Sequence, residues 1–177
     1  MKRLHRLPSG IVRSELIASV GRASLLSPVY SALRATPLRE APRLSKALGC
    51  TVLLKRDDLL PTFSSSVRGA VGFIARLSAV ELAKGLVTVE NGTGFGQGVA
   101  WAAREAGAPT TSVVVQRATR RQARDDIEAL GAELVGFEGA SYAGAEAHAR
   151  ELAQRTTAVS LNAAAHCTTK VTNRLRE

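Results

Sequence analysis

The stretch LVTVENGTGFGQGVAWAARE, residues 86–105, decides the fold. Its first four residues are apolar or β-branched and read as a strand at 86–89. Glycines at 92, 94, 96 and 98 then form a tight polar loop, which opens a helix running through Ala106. Gly107 and Pro109 stop that helix before a second apolar strand, SVVV at 112–115. A strand, a glycine turn, a helix and another strand in direct succession make the crossover unit that parallel pairing requires.

The same cycle extends in both directions. Upstream, a helix over 40–48 is closed by Gly49 and followed by a strand at 51–55, TVLLK. A longer helix is expected over 66–84, with Val67, Ala70, Ile74, Leu77, Val80 and Leu82 near one face and Gly85 at its end. Downstream, helix 119–130 ends at Gly131 before a strand at 133–137, and helix 141–155 precedes a strand at 157–161. The expected class is α/β, with parallel strands and helices covering the sheet. No fixed repeat period links the units.

The 177 residues are 45% hydrophobic and 22% charged, a composition suited to a folded core rather than to disorder, collagen or a coiled coil. No apolar run approaches the length needed to span a bilayer. The net charge is +9, and arginine outnumbers lysine 19 to 5. Such a surface attracts anions at low salt. The seven aromatic residues are scattered rather than interleaved with basic ones, so nucleic acid is not the expected partner. Cys50 and Cys167 supply neither a disulfide framework nor C-x-x-C spacing.

The segment MKRLHRLPSGIVRS carries Lys2, Arg3, Arg6 and Arg13 without an acid, and lacks the apolar core of a secretory signal. The expected location is the cytoplasm, with organelle targeting the alternative that this basic terminus permits. The polar end, HCTTKVTNRLRE, reads as a loose tail.

The glycine loop could hold an anion through its backbone amides and the helix N-terminus. It does not satisfy G-x-G-x-x-G in any register, and Gln116 ends the next strand where a ribose-binding acid would stand. No P-loop lysine follows it. His5, His148, His166 and Cys167 do not assemble a ligand set, so no metal is expected. Glu146 and His148 read as a solvated helix surface, as do Arg117, Arg120, Arg121 and Arg124, which precede Asp125, Asp126 and Glu128.

Several segments together resemble one family. TPL at 36–38, LS..LG at 44–49, LLKRDDLLP at 53–61 and S..VRGA at 64–70 are followed by LVTVENGTGFGQGVAWAARE and by LGAELVGFEGASYAGAEAHARELA at 130–153. Over residues 26–160 the chain resembles the pyridoxal-phosphate enzymes of the tryptophan-synthase-β-like fold (fold type II), most closely the biosynthetic threonine ammonia-lyases, or threonine dehydratases. The resemblance implies three-layer open parallel sheets in two domains. It divides the chain into a basic extension (1–25), the first portion of the large domain (26–89), a complete small α/β domain (90–157), and a strand end with polar tail (158–177).

The reaction implied by the resemblance converts threonine to 2-oxobutanoate and ammonia, a step toward isoleucine, through a lysine that forms an imine with the cofactor. Ser66 stands at that lysine's position, while Ser64, Arg68, Gly69 and Ala70 around it match. Asn91, Gly92, Thr93, Gly94 and Phe95 stand where the family loop meets the substrate carboxylate and the cofactor ring oxygen, with Gly94 at the asparagine position. The family's glycine-rich phosphate cup and the residue facing the pyridine nitrogen fall after the last residue of this chain, so an incomplete large domain is expected. No catalytic residue is intact on this reading. Asn91, Gly92, Thr93 and Gly94 are the candidate cofactor contacts, and pyridoxal phosphate binding is in question. The expectation is an inactive relative, with a noncatalytic binding or interaction protein and a decayed gene as the other readings. The expected partners are a small-molecule amino acid, and a second copy or another chain that covers the incomplete sheet.

Overall fold

The computed structural model describes residue 22 and residues 26–162. The expected extension at 1–25, Arg22 aside, and the polar tail lie outside the described residues, as do Lys2, His5, His166, Cys167 and Lys170.

Among the described residues a short helix α1 (Val29–Ala32) precedes an antiparallel hairpin of β1 (Leu38–Glu40) and β2 (Leu53–Lys55), joined through α2 (Pro42–Leu48). Pro42 occupies the first turn of α2, where its missing N–H costs nothing, and Gly49 ends it at φ +66°. The antiparallel pairing departs from the expected parallel arrangement. Here the strand expected at 51–55 is only three residues long, and a partner only 13 residues upstream in register reaches it without a crossover. Leu38, Leu44, Leu48, Leu53 and Leu54 in this region remain 43–67% exposed.

A 3-10 turn (Asp57–Leu59) leads to α3 (Ser66–Ile74) and α4 (Ala79–Leu82). The single helix expected over 66–84 is therefore two. At the break the Ser78 hydroxyl accepts from Glu81 N (3.2 Å), while the Glu81 carboxylate accepts from Ser78 N (2.8 Å). This reciprocal capping box starts a new helix where the apolar spacing suggests continuation.

Beyond α4, strands and helices alternate as expected: β3 (Leu86–Val89), α5 (Phe95–Glu105), β4 (Thr111–Gln116), α6 (Arg121–Ala129), β5 (Glu133–Phe137), α7 (Tyr142–Thr156) and β6 (Val159–Leu161). The four strands form one parallel sheet in the order β5-β4-β3-β6. This sheet draws on residues either side of the divisions at 89/90 and 157/158, since β3 ends at Val89 and β6 starts at Val159.

Alternation along β4 separates two cores. Val113 and Val115 meet Ala100 of α5 and Ile127 of α6 on one face. Val114 meets Val87, Val89 and the α7 residues Ala145, Ala149 and Ala153 on the other. In a third layer of contact, Val67, Ala70, Val71 and Ile74 of α3 pack on Val99, Ala102 and Ala103 of α5, together with Leu86 and Leu161. Gly98 permits this approach: a Cβ there would lie 3.0 Å from Val67 Cα.

Candidate functional site

From β3 the chain winds outward through β4 and β5, then returns across the sheet to place β6 on the other side of β3. All four strands are parallel, so the loop after β3 leaves the C-terminal end of the sheet. In open parallel sheets, ligands bind outside the strands' C-terminal ends. The loop after β3 contains Asn91, Gly92, Thr93 and Gly94, so the topology brings the candidate contacts to that end of the sheet.

Within the loop, Asn91 Oδ1 accepts from Thr93 N (3.1 Å) and from the Thr93 hydroxyl, closing a local turn. Gly92 and Gly94 sit at φ +77° and +78°, and Gly94 is the N-cap of α5. These left-handed positions suit glycine because other residues carry a steric cost there.

Ser66 opens α3 beside the same loop. Its hydroxyl donates to Thr93 O (3.3 Å) and lies 2.8 Å from Ser64 Oγ, which itself donates to Thr93 O (2.9 Å). The structure thus joins the two sequence-predicted segments, with the serine loop hydrogen-bonded to the glycine loop. The pair can exchange hydrogen bonds, but neither hydroxyl supplies the primary amine of imine chemistry. Lys55, the nearest lysine in sequence, directs Nζ to Thr36 O.

Glu90 belongs to this site and was not apparent in the sequence pattern. It is 2% exposed, and its carboxylate accepts from Gly92 N (2.6 Å), Gly94 N (3.3 Å) and Gly96 N (2.9 Å). An acid placed directly before glycines at every second position is the signal that could have revealed it.

The motif residues upstream form a second cluster. Arg68 donates through Nε (3.1 Å) and Nη2 (2.9 Å) to the Asp57 carboxylate, and the Thr36 hydroxyl donates to the same group. These hydrogen bonds, Arg68 first and Thr36 second, lower the pKa of Asp57 to about 2. The cluster ties the start of the hairpin to α3.

Other candidates are taken up by packing. Arg124 turns back to donate to Gln116 O (2.7 Å), Arg117 O (3.3 Å) and Thr119 O (3.3 Å), so it braces the β4–α6 loop instead of joining a solvated face. Glu146 and His148 are half-buried rather than fully solvated, and the His148 ring lies 5.7 Å from that of Phe137. Burial, then the hydrogen bond to Glu146, pushes the Tyr142 hydroxyl up to about 12. A separate open depression beyond β4 and β5 is lined by Gln116, Arg117, Glu138 and Ala140. Among the described residues no group of three or more His, Cys, Asp or Glu is arranged to hold a metal, and no helix is long and apolar enough to cross a membrane.

Fold and site define an open parallel α/β protein with a glycine loop at the C-terminal end of a central strand of its sheet. The chain belongs to the pyridoxal-phosphate dependent enzyme family, whose pattern matches residues 29–171. It is similar to threonine dehydratase 1 biosynthetic, chloroplastic, of Solanum lycopersicum, with 39% identity over 131 residues, 73% of this chain and 21% of that protein. Threonine dehydratase biosynthetic, chloroplastic, of Arabidopsis thaliana is 41% identical over 127 residues, 71% of this chain and 21% of that protein. The solved processed form of threonine deaminase isoform 2 from Solanum lycopersicum superposes with a TM-score of 0.74 at 32% identity, covering 88% of this chain and 42% of that one. Maize serine racemase shares the fold at 22% identity and a TM-score of 0.70, covering 81% of this chain and 43% of that one. The fold is the tryptophan-synthase-β-like one, fold type II. The chain spans about a fifth of the length of these two curated relatives.

Proposed function

We propose that this chain is a noncatalytic relative of threonine dehydratase. The carrying observation is Ser66: the resemblance puts the imine-forming lysine at this position, and here a hydroxyl is hydrogen-bonded into the serine and glycine loops. A serine cannot form an imine or move protons as the lysine amine does. Gly94 has no side chain to offer a cofactor, Asn91 is turned onto Thr93, and Lys55 is held by Thr36 O. The residues present therefore do not fit a covalently attached pyridoxal phosphate. What the described residues supply is a folded α/β unit whose glycine loop after β3 is held by hydrogen bonds from within the chain.

The test is to incubate the purified chain with pyridoxal phosphate, reduce with borohydride and map adducts by mass spectrometry, alongside an assay for threonine-dependent release of 2-oxobutanoate. The expected result is no site-specific adduct and no oxo acid from the native chain, with an adduct at position 66 in the Ser66→Lys variant. A stoichiometric adduct on one native lysine, or oxo-acid release, overturns the reading. Residual recognition of an amino acid would register separately, as a saturable rise in melting temperature with threonine or serine.

A further inference from the structure

The buried carboxylate of Glu90 is left without a role by the reading above. A charged group removed from water is strongly destabilising unless partners surround it. Glu90 has three, all backbone amides of the loop that follows it: Oε1 takes Gly92 N and Gly94 N, and Oε2 takes Gly96 N. The positive φ angles of Gly92 and Gly94 shape this concavity, and α5 begins immediately beyond it. Backbone amides converging in this way beside a helix N-terminus form a nest for an anion. Gly96 is fitted to the occupant, because a Cβ there would lie 2.7 Å from Glu90 Oε2.

We propose that this loop is an anion nest permanently occupied by the chain's own carboxylate. Glu90 supplies the negative charge from the end of β3, and no amide among these three remains free for an external carboxylate or phosphate. The inference deepens the noncatalytic reading, on which it rests for placing the loop at the family's substrate-carboxylate position. It adds a second, independent block: restoring an amine at position 66 does not reopen the loop.

The test follows the loop amides by two-dimensional nuclear magnetic resonance while sodium acetate or inorganic phosphate is added at constant ionic strength. In the native chain the Gly92, Gly94 and Gly96 amides are expected to stay unmoved. In Glu90→Ala, these amides shift saturably with acetate, and acetate raises the melting temperature where sodium chloride of equal ionic strength does not. Saturable movement of the native amides overturns the inference, as does a folded Glu90→Ala variant that responds no more than the native chain. If Glu90→Ala does not fold, the native titration still decides. The two readings fail separately: oxo-acid release with unresponsive native amides removes the noncatalytic reading, and the block with it, while the occupied nest stands, whereas responsive amides without oxo-acid release remove the occupied nest alone.

Discussion

Replacing Gly98 by alanine probes the closest approach of α3 and α5. A Cβ at this position would lie 3.0 Å from Val67 Cα, 3.2 Å from Val67 N and 3.4 Å from the Ser66 carbonyl carbon. All three are backbone atoms, so no side-chain rotation relieves the contact. The helices must instead separate by a few tenths of an ångström, loosening Val67, Ala70 and Val71 against Val99 and Ala102. Overpacking of this kind costs about 1–3 kcal/mol, while alanine's helix propensity returns about 1 kcal/mol. The net expectation is a loss of about 1 kcal/mol. Gly69 is the control: it is the fourth residue of α3, as Gly98 is of α5, yet its added Cβ meets nothing within 4 Å. Gly69→Ala should therefore stabilise by about 0.5–1 kcal/mol. The two variants should differ by roughly 5 °C in melting temperature, taking about 3 °C per kcal/mol for a chain of this size. Paired thermal and urea melts followed by far-ultraviolet circular dichroism measure the difference. A Gly98→Ala variant as stable as Gly69→Ala would refute the close-approach argument.

Asp57 makes stability depend on acid. Its pKa is lowered from 3.8 to about 2 in the fold, so the stabilisation is complete above 3.8 and is lost as pH falls from there through about 2. Asp57→Asn should flatten the stability curve across that window, and an unchanged curve would count against the Arg68 tie. Thr88 is fully buried and its hydroxyl donates to Leu161 O (2.9 Å), so Thr88→Val should cost about 1 kcal/mol in urea unfolding despite its matching shape. No loss would mean that this bond between β3 and β6 contributes nothing. We propose that the exposed leucines of the hairpin mediate self-association: light scattering should show a concentration-dependent dimer that Leu53→Lys weakens. A native chain monomeric at every concentration would remove that expectation.

The parallel sheet was legible because glycine punctuates it. Gly49, Gly85, Gly107 and Gly131 all take positive φ at the turns anticipated from their spacing, and the strands at 86–89 and 133–137 fall where the apolar runs put them. Helix α7 differs, since Thr157 rather than a glycine adopts the left-handed position that closes it. The break before α4 was masked by Val80 and Leu82 continuing the helical spacing, although Ser78 and Glu81 spelled a capping box. β1 escaped notice because three exposed residues carry no alternation, and only its partner defines it. At the site, Ser66 and the residues from Asn91 to Gly94 were legible as separate segments. Their hydrogen bonds through Thr93 O depend on the start of α3 meeting the β3 loop in space, which residue spacing alone does not encode, whereas the filling of the loop by Glu90 is local and its spacing stands in the sequence. The cluster of Thr36, Lys55, Asp57 and Arg68 explains why motif residues matched around a substituted lysine position: they secure the hairpin to α3 irrespective of chemistry.

The central place of β3 also sets an order of assembly. Among the described strands of the parallel sheet it is the first to leave the ribosome, yet one of its two neighbours is the last of them to be synthesised. The Leu161 carbonyl that receives the Thr88 hydroxyl lies 73 residues further along the chain. Until β6 arrives, the Leu86–Val89 edge is an apolar template with unpaired backbone groups, and pairings over such separations close slowly. A translational pause between α6 and β6 would prolong this vulnerable interval, making the rate of elongation through α7 a determinant of how much chain escapes mispairing.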